Sequence, residues 1–432
     1  MANFHENFLQ LVWKYQYFDK NQLVTTDDLP LMVKKIGYHN FHEGPDFSES
    51  HIKLADLDHF GHIEIHRKSS DWKAHAHSSD RRYDSVILHV VWEHDEEVLR
   101  SDGTSIPTLE LKGKVYLDVL RNFERLISGK PEILCSEDLA QVEDIIRFSM
   151  LEKALVERFM EKSKLVQDIL RDTKSDWEET TYRWLFYNFG FKANNHLMLR
   201  LAAKLPYLVV KRHAGQPLIQ EALVMGQAGF LDAPAEDDYT RFLQREYLFY
   251  KNKYSLHQAI YPAEWKFMRV RPTNYPTVRL AQVAAILHHS PNLFSNILNS
   301  SSDIGTLKRQ FDFEISSYWQ YHYHFGKPTA KKQSRTLSPN TVSLLAINFM
   351  VPLWYAYGQF TDDMSWQERC FDLLQEIQSE TNYITQKFEV FHWKAQNAFD
   401  SQGMIGLHNN YCTKRKCLEC KIGQNLLRPQ KI

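Results

Sequence analysis

The sequence predicts an α+β protein with an N-terminal α/β head, a large all-α body and a small cysteine-rich C-terminal segment. Two observations indicate this order. Apolar residues change from alternating to helical spacing at about residue 137, and three of the five cysteines fall within the last 21 residues. We therefore expect a head at residues 1–130, a helical domain at 131–400 and a basic, cysteine-rich tail at 401–432.

The elements follow from the same spacing. Residues 5–18 (HENFLQLVWKYQYF) carry apolar side chains at helical intervals and predict an opening amphipathic helix. Between residues 23 and 118, short stretches such as HIEIH and SVILHVVW are separated by Asp-, Gly- and Ser-rich turns, which predicts strands. The long stretch LEKALVERFMEKSKLVQDILRD has apolar residues at helical spacing, and this spacing continues through the body.

Bulk composition excludes several classes of protein. The formal net charge is −1, so no global field attracts nucleic acid or membranes. No stretch approaches the roughly 18 apolar residues of a membrane span, and the opening residues lack the basic-then-apolar order of a signal peptide. Five cysteines do not form a disulfide framework of paired residues. We expect a cytoplasmic protein without membrane contact.

The segment GHIEIHRK concentrates ionisable side chains on one face of a strand. Side chains alternate along an extended chain, so the residues on one face are His62, Glu64, His66 and Lys68. The isoleucines between them point to the opposite, apolar face. Packed ionisable groups are costly without partners, which favours a functional site over a structural salt-bridge network.

A second carboxylate precedes this strand. Asp46 follows the Gly44-Pro45 turn and lies 18 positions before Glu64. Two adjacent strands would bring both acids to one divalent cation, for which oxygen ligands suit magnesium or manganese. An added imidazole from His66 shifts the preference towards manganese, iron or zinc. His66 could also act as a general base, since its ordinary pKa lies near neutrality.

GPDF followed by EIH, after a helix that contains Glu6, resembles the PD-(D/E)xK nuclease fold. The resemblance implies a restriction-endonuclease-like head, with Asp46 and Glu64 as metal ligands and Glu6 as the helix acid. His66 stands where that family has its lysine, and Lys68 on the same face is the candidate for the charge-stabilising role. The resemblance covers about residues 5–95.

The whole chain also resembles an uncharacterised family of bacterial proteins of similar length. The phrases that carry this resemblance are GPDF, EIHxxSSDWxxHxH, ILHVV and the terminal cysteines. It implies no known activity.

The segment after this strand adds further candidate metal ligands, which are His75, His77 and Asp80. Their spacing resembles the HxHxDH loop of metallo-β-lactamase-type hydrolases, although Asp80 stands one position late and no histidine follows it. The alternative is an exposed connecting loop. Asp71 is expected to cap a helix, and His89, within the apolar run VILHVV, is expected to pack in the core.

The C-terminal cysteines have the spacing of metal ligands. Three thiols lie in C-x4-C-x2-C, and a fourth ligand is needed. The expected set is Cys135, Cys412, Cys417 and Cys420. His408 or Cys370 is the reserve for Cys135. Some nucleases of the same broad fold carry an iron–sulfur cluster on one distant and three C-terminal cysteines, which this arrangement resembles, although Cys135 follows the nuclease motif instead of preceding it. A zinc knuckle and free thiols remain the alternatives.

Two basic stretches are candidates for nucleic-acid contact. The segment 265–280 interleaves arginines with aromatic residues, and the tail carries a run of cations. The candidate residues are Arg269, Arg271, Arg279, Lys414, Arg415 and Lys416. The alternatives are arginines paired with acids in the body and a solvated charge run.

Together these features predict a metal-dependent, nuclease-like phosphodiester hydrolase acting on DNA or RNA. Glu64, His66 and Lys68 would carry the catalysis. One alternative is a non-catalytic nucleic-acid-binding protein with a degenerate nuclease head, and the other is a metallohydrolase of a small substrate. The near-neutral charge favours a specific nucleic-acid structure or a complex with a protein partner over bulk degradation.

Overall fold

The computed structural model describes residues 4–128, 132–332 and 336–429. The chain divides into two compact units. The N-terminal unit comprises residues 1–152, 387–393 and 407–432, and the helical unit comprises residues 153–386 and 394–406. The expected cysteine-rich tail is therefore part of the same compact unit as the N-terminal sheet.

One six-stranded sheet organises the N-terminal unit. Its strands are β1 (Leu31–Lys35), β2 (Tyr38–His39), β3 (Phe47–Leu54), β4 (Leu57–Lys68), β5 (Val86–Glu93) and β6 (Thr108–Glu110). Its helices are α1 (Glu6–Tyr15), α2 (Asp71–Ala74) and α3 (Leu117–Ser128), with short 3₁₀ turns at His77–Ser79, Arg81–Tyr83 and Ser136–Gln141.

The sheet is mixed, in the order β1-β3-β4-β5-β6, with β2 paired to β3. β3 and β4 form an antiparallel hairpin, and its tight turn holds Ala55 at a φ of 48°. β4 and β5 run parallel, so the chain needs a crossover between them, and residues 69–85 supply it. Gly61 is required where the strands approach, because a Cβ there would lie 2.4 Å from the Ser85 carbonyl oxygen.

The core of this unit lies between the sheet and α1. Ile63 and Ile65 of β4 are almost completely buried, as the alternating pattern predicts, and they belong to the same core as Phe8 and Val12 of α1. Leu427 from the C-terminal tail is also fully buried in this core. The polar face of β4 is therefore left for the side chains of the candidate site.

Helices form almost all of the remaining chain. They are α4 (Asp144–Asp172), α5 (Trp177–Phe189), α6 (Phe191–Lys204), α7 (Tyr207–Lys211), α8 (Pro217–Gln227), α9 (Asp238–Lys253), α10 (Pro276–His289), α11 (Leu293–Leu298), α12 (Ile304–Gln310), α13 (Pro339–Leu345), α14 (Val351–Thr361), α15 (Ser365–Glu376), α16 (Tyr383–Val390), α17 (Ala398–Leu407) and α18 (Lys421–Leu426). Two short strands, His322–His324 and Lys327–Pro328, form a separate hairpin. The predicted α+β class with a large helical body is confirmed.

One helical stretch is long and apolar enough to cross a membrane by length and composition alone. It runs from Pro339 to Thr361, where a π-helical turn joins α13 to α14. Within the structure, 72% of its apolar window is buried, as is usual for the core helix of a soluble protein.

Candidate metal centre

Three histidines converge on one point beside β4. They are His66 on β4, His75 at the end of α2 and His77 at the start of the following 3₁₀ turn. One ring nitrogen from each lies within 4.8 Å of the others. His75 Nδ1 is 3.2 Å from His66 Nε2.

Glu64 adds a carboxylate oxygen to this group. Its Oε1 lies 3.5 Å from His66 Nε2 and 3.4 Å from His77 Nε2. Ligand atoms about 2.1 Å from a tetrahedral metal are about 3.4 Å apart. His66 Nε2 and His75 Nδ1 have about this spacing, and the three histidines, here called the histidine centre, therefore fit a single first-row metal ion with Glu64 Oε1 beside it.

The crossover connection is folded so that His75 and His77 reach β4. Asp71 Oδ2 accepts a hydrogen bond from the Lys68 backbone N–H, which fixes the start of α2 against the strand end. Ala76 adopts a left-handed conformation with a φ of 60°, and this reversal separates the two histidines. The buried Trp72 makes an edge-to-face contact with His77, and Tyr83 stacks on the His77 ring with 3.8 Å between the ring centroids.

His89 contacts the Nδ1 atom of His66, while the other ring nitrogen of His66 faces His75. It lies on β5 opposite Glu64, is completely buried, and places its Nε2 2.8 Å from His66 Nδ1. A metal bound at His66 Nε2 would require the proton on Nδ1, which then donates to His89. Such a partner fixes the tautomer and orientation of a ligating histidine. The prediction that His89 is a core residue is compatible with this position.

Asp46 lies next to the centre but its oxygens have other partners. Oδ1 accepts a hydrogen bond from Gln10 Nε2, and Oδ2 accepts one from the Ile65 backbone N–H. The Asp46 backbone N–H donates to Glu64 Oε2 at 3.0 Å. Asp46 is therefore placed to orient Glu64, whose other oxygen faces the histidines.

Electrostatics favours a cation at this point. Burial, together with the neighbouring carboxylate and Glu6, raises the pKa of Asp46 above its ordinary value, and burial likewise raises the pKa of Glu64. Burial and the neighbouring imidazoles lower the pKa of His66 to about 2. Neutral imidazoles keep a lone pair for a metal, and a divalent ion would offset the repulsion between the buried acids.

One side of the histidine centre opens to solvent. A pocket of about 410 Å³ is lined by His5, Glu6, Asn7, Arg67, Asp71 and His75. Burial raises the pKa of Glu6, while His75 opposes that shift, so the helix acid lies within electrostatic reach of the centre. Arg67, which the sequence analysis did not single out, supplies a cation to the lining of this pocket. The sequence feature that could have identified it is its position directly after His66, at the exposed end of the strand.

Residues 6–383 match the model of a family described as Protein of unknown function (DUF2851). The chain belongs to this family. The DUF2851 match includes the whole histidine centre and confirms the predicted membership of an uncharacterised family. No curated protein and no solved structure matches the chain.

Other predicted site residues in this DUF2851 protein have different partners. Asp80 binds Arg82, which lowers the pKa of its carboxyl, and Asp80 is not among the converging ligand atoms. Lys68 Nζ lies 3.4 Å from Asp95 Oδ2. Asp95 in turn accepts hydrogen bonds from Ser70, so Lys68 belongs to the network that holds the start of the crossover.

The arginines predicted to contact nucleic acid divide into two groups. Arg269 and Arg271 are exposed. Arg279 is only 5% exposed, lies over the Phe191 ring and donates to Gln282, so its guanidinium is not available to a phosphate in this structure. In the tail, Lys414, Arg415 and Lys416 are exposed, and Lys416 pairs with Glu419.

The four cysteines of the expected set lie in the N-terminal unit. Cys135 directly precedes a 3₁₀ turn, Cys412 ends a π-helical turn, and Cys417 and Cys420 precede α18. Each of Cys135, Cys412 and Cys417 is influenced electrostatically by sulfurs of the same set. Cys370 is completely buried in the helical unit and does not belong to this group.

Proposed function

We propose that this protein is a metal-dependent phosphodiester hydrolase of the nuclease-like type, with its metal at the histidine centre. The observation that carries the proposal is the convergence of one ring nitrogen each from His66, His75 and His77 within 4.8 Å, with Glu64 Oε1 3.5 Å from His66 Nε2 and 3.4 Å from His77 Nε2. We place its activity in the cytoplasm.

The donor set fits a metal ion. His77 Nε2 is buried, has no hydrogen-bond partner and faces Glu64 Oε1 at 3.4 Å. A buried polar atom without a partner is costly, and a metal ligand is one resolution of that cost. Three imidazoles with a carboxylate beside them favour zinc, manganese or iron over magnesium, which prefers oxygen ligands.

The protein residues around the metal have distinct proposed roles. His66 and His77 hold the ion from the buried side, and the exposed His75 completes the group beside the pocket. A metal of this kind polarises a phosphoryl oxygen and lowers the pKa of a bound water. Glu64 is positioned to accept the proton from that water, because Asp46 holds its other oxygen by a backbone hydrogen bond.

Two features support a phosphodiester over another hydrolysable group. Arg67 lines the pocket next to His75, and a guanidinium suits bidentate binding of phosphate oxygens. The chain order of Glu6 on α1, Asp46 before β3 and Glu64 on β4 is the order implied by the nuclease resemblance. Arg67 could take the charge-stabilising role instead of Lys68, whose side chain pairs with Asp95.

A small phosphorylated substrate is the second candidate. The pocket of about 410 Å³ is within the size range of small-molecule sites. Nucleic acid would extend beyond this pocket, and the exposed cations of the tail are candidates for that contact. The comparison of polymeric and small substrates therefore belongs in the first experiment.

The test uses the full chain, stripped of metal and reloaded with zinc, manganese or magnesium. Labelled single- and double-stranded DNA and RNA, a small phosphodiester and a phosphomonoester are the substrates. We expect cleavage of a phosphodiester with zinc or manganese, and loss of both one bound ion and cleavage in His66→Ala. Glu64→Gln should lose cleavage but retain most of the bound metal.

The matched control is His42→Ala, an exposed histidine in the same unit. It should keep both metal and activity. Cleavage that survives in His66→Ala and Glu64→Gln would contradict the proposed site. Tight metal binding without cleavage of any substrate would overturn the hydrolase proposal in favour of a non-catalytic protein.

A further inference from the structure

Four cysteines from two distant parts of the sequence are gathered in the N-terminal unit. The chain around residue 135 and the tail are joined by contacts on both sides of the sulfurs. On one side, the Glu132 carboxylate lies 2.7 Å from His408 Nε2. Glu132 is three residues before Cys135, and His408 is four residues before Cys412. On the other side, the Lys421 backbone N–H lies 3.3 Å from Met150 Sδ. The tail is therefore held against residues 132–150 along the length that carries its cysteines.

The tail is folded tightly around its own cysteines. Arg415 adopts a left-handed conformation with a φ of 54° in the turn between Cys412 and Cys417. The Cys420 backbone N–H bonds the Cys417 carbonyl oxygen, and a Cβ added to Gly423 would lie 2.1 Å from that same oxygen. The first turn of α18 therefore packs directly on the turn that presents the last two thiols.

The sulfurs are sheltered from solvent. Cys420 is 7% exposed, and the other three are partly buried, with Cys135 and Cys417 packed against the core of the N-terminal unit. None of them forms a disulfide in the described structure. Burial and the other sulfurs raise the pKa of Cys135 and Cys412, and raise that of Cys417 to about 11.

The spacing of the sulfurs distinguishes two kinds of metal site. Four thiolates on one zinc ion lie ~3.8 Å apart, because each Zn–S bond is ~2.3 Å in a tetrahedron. Among the described residues, only the three histidines bring three ligand atoms within 4.8 Å, so no three of these sulfurs do. In a four-iron cluster each cysteine binds a different iron atom, which requires a wider set of sulfurs.

We propose that Cys135, Cys412, Cys417 and Cys420 ligate a [4Fe–4S] cluster that joins the tail to the residue 132–135 segment of the N-terminal unit. The cluster binds as four thiols lose their protons, and the exposed Lys414, Arg415 and Lys416 lie beside the resulting negative charge. We infer a structural role, because the tail that the cluster would fix carries Leu427, which is fully buried in the core of the N-terminal unit. This assignment is independent of the histidine centre and of the proposed hydrolase activity.

The experiment is purification of the full chain without oxygen, followed by measurement of iron, zinc and acid-labile sulfide. We expect about four iron and about four sulfide per chain, with a visible charge-transfer band. Sulfide is the decisive quantity, since iron alone could also occupy the histidine centre. Mössbauer spectroscopy of the unmodified protein then identifies the cluster type without any variant.

Variants assign the ligands. Cys135→Ser and Cys412→Ser should each lose most of the sulfide, whereas Cys370→Ala, at the fifth cysteine in the helical unit, should retain it. His66→Ala should also retain it, which separates this site from the histidine centre. One zinc per chain without sulfide, or no metal bound by the thiols under anaerobic conditions, would overturn the proposal.

Discussion

The N-terminal unit holds two groups of candidate metal ligands that differ in spacing, exposure and origin in the sequence. The histidine centre brings one ring nitrogen from each of its three histidines within 4.8 Å of the others and has one side open to a pocket. The cysteines are more widely spaced and are sheltered. The histidines come from one strand and the crossover that follows it, whereas Cys135 meets residues from the far end of the chain.

The two groups of side chains follow one physical principle but suit different roles, one catalytic and one structural. Ligands gathered without a cation destabilise a fold, because each opposes the preferred charge state of the others. An open group of nearby residues leaves a coordination position for a substrate. A closed group of distant residues stabilises by closing a long loop of chain.

The largest effect is expected at His66. His66→Ala removes a buried ligand and should reduce hydrolysis by about 10³-fold, equivalent to about 4 kcal/mol in activation free energy. Sulfide content should stay unchanged, because the cysteine cluster shares no ligand with this centre. Steady-state kinetics and metal analysis of the same preparation give both quantities. A parallel loss of sulfide would mean that the two sites are not separate.

The reverse pattern is expected at Cys135. Cys135→Ser should lower the free energy of unfolding of the N-terminal unit by about 3 kcal/mol, because the tail is no longer fixed by the cluster. This corresponds to a melting temperature lower by about 10 °C in calorimetry. The rate per folded molecule at the histidine centre should change less than about twofold. A large loss of rate at temperatures where the variant stays folded would contradict the structural role.

A smaller effect is expected at His89, which contacts His66 and not the metal. His89→Leu removes the acceptor for His66 Nδ1 and should weaken metal affinity by about 10- to 100-fold. His89→Gln, which retains an acceptor, should recover part of that loss. Competition with a metal chelator measures the affinity. Equal affinities in the two variants would show that His89 serves packing alone.

The smallest effect is expected from the cations on the exposed end of β4. Arg67→Ala should raise KM for an anionic substrate by about tenfold, with kcat and metal content nearly unchanged. Lys68→Ala is the matched comparison, since its side chain pairs with Asp95 away from the metal ligands, and it should change KM less than twofold. A larger effect at Lys68 would restore the role that the sequence pattern suggested for it.

Much of this unit could be predicted from residue pattern. Alternation along GHIEIHRK correctly placed Ile63 and Ile65 in the core, and it left Glu64 and His66 on the other face. The proximity of Asp46 to Glu64 followed from pairing two neighbouring strands. The turn at Ala76, however, depends on a left-handed residue that sequence spacing does not reveal, and that turn lies between His75 and His77.

Contacts between residues far apart in the sequence were harder to predict. The cysteine spacing indicated a metal site but left three choices for the fourth ligand, because nothing local relates Cys135 to the tail. Arg279 illustrates a second difficulty, in which a distant residue changes the meaning of a local sequence pattern. The sequence pattern made its guanidinium a candidate for nucleic-acid contact, but Phe191 of a separate helix covers the guanidinium within the structure. Arg67 and Lys68 are adjacent in sequence, and only their partners distinguish them.

Leu427 has a consequence for how the protein is made. This side chain completes the core formed by α1 and the sheet, although more than 300 residues separate it from β6 along the chain. During synthesis the ribosome completes the whole helical unit before Leu427 emerges. The N-terminal unit therefore has an exposed apolar surface for most of translation, and a nascent or prematurely terminated chain should be a substrate for chaperones and proteases.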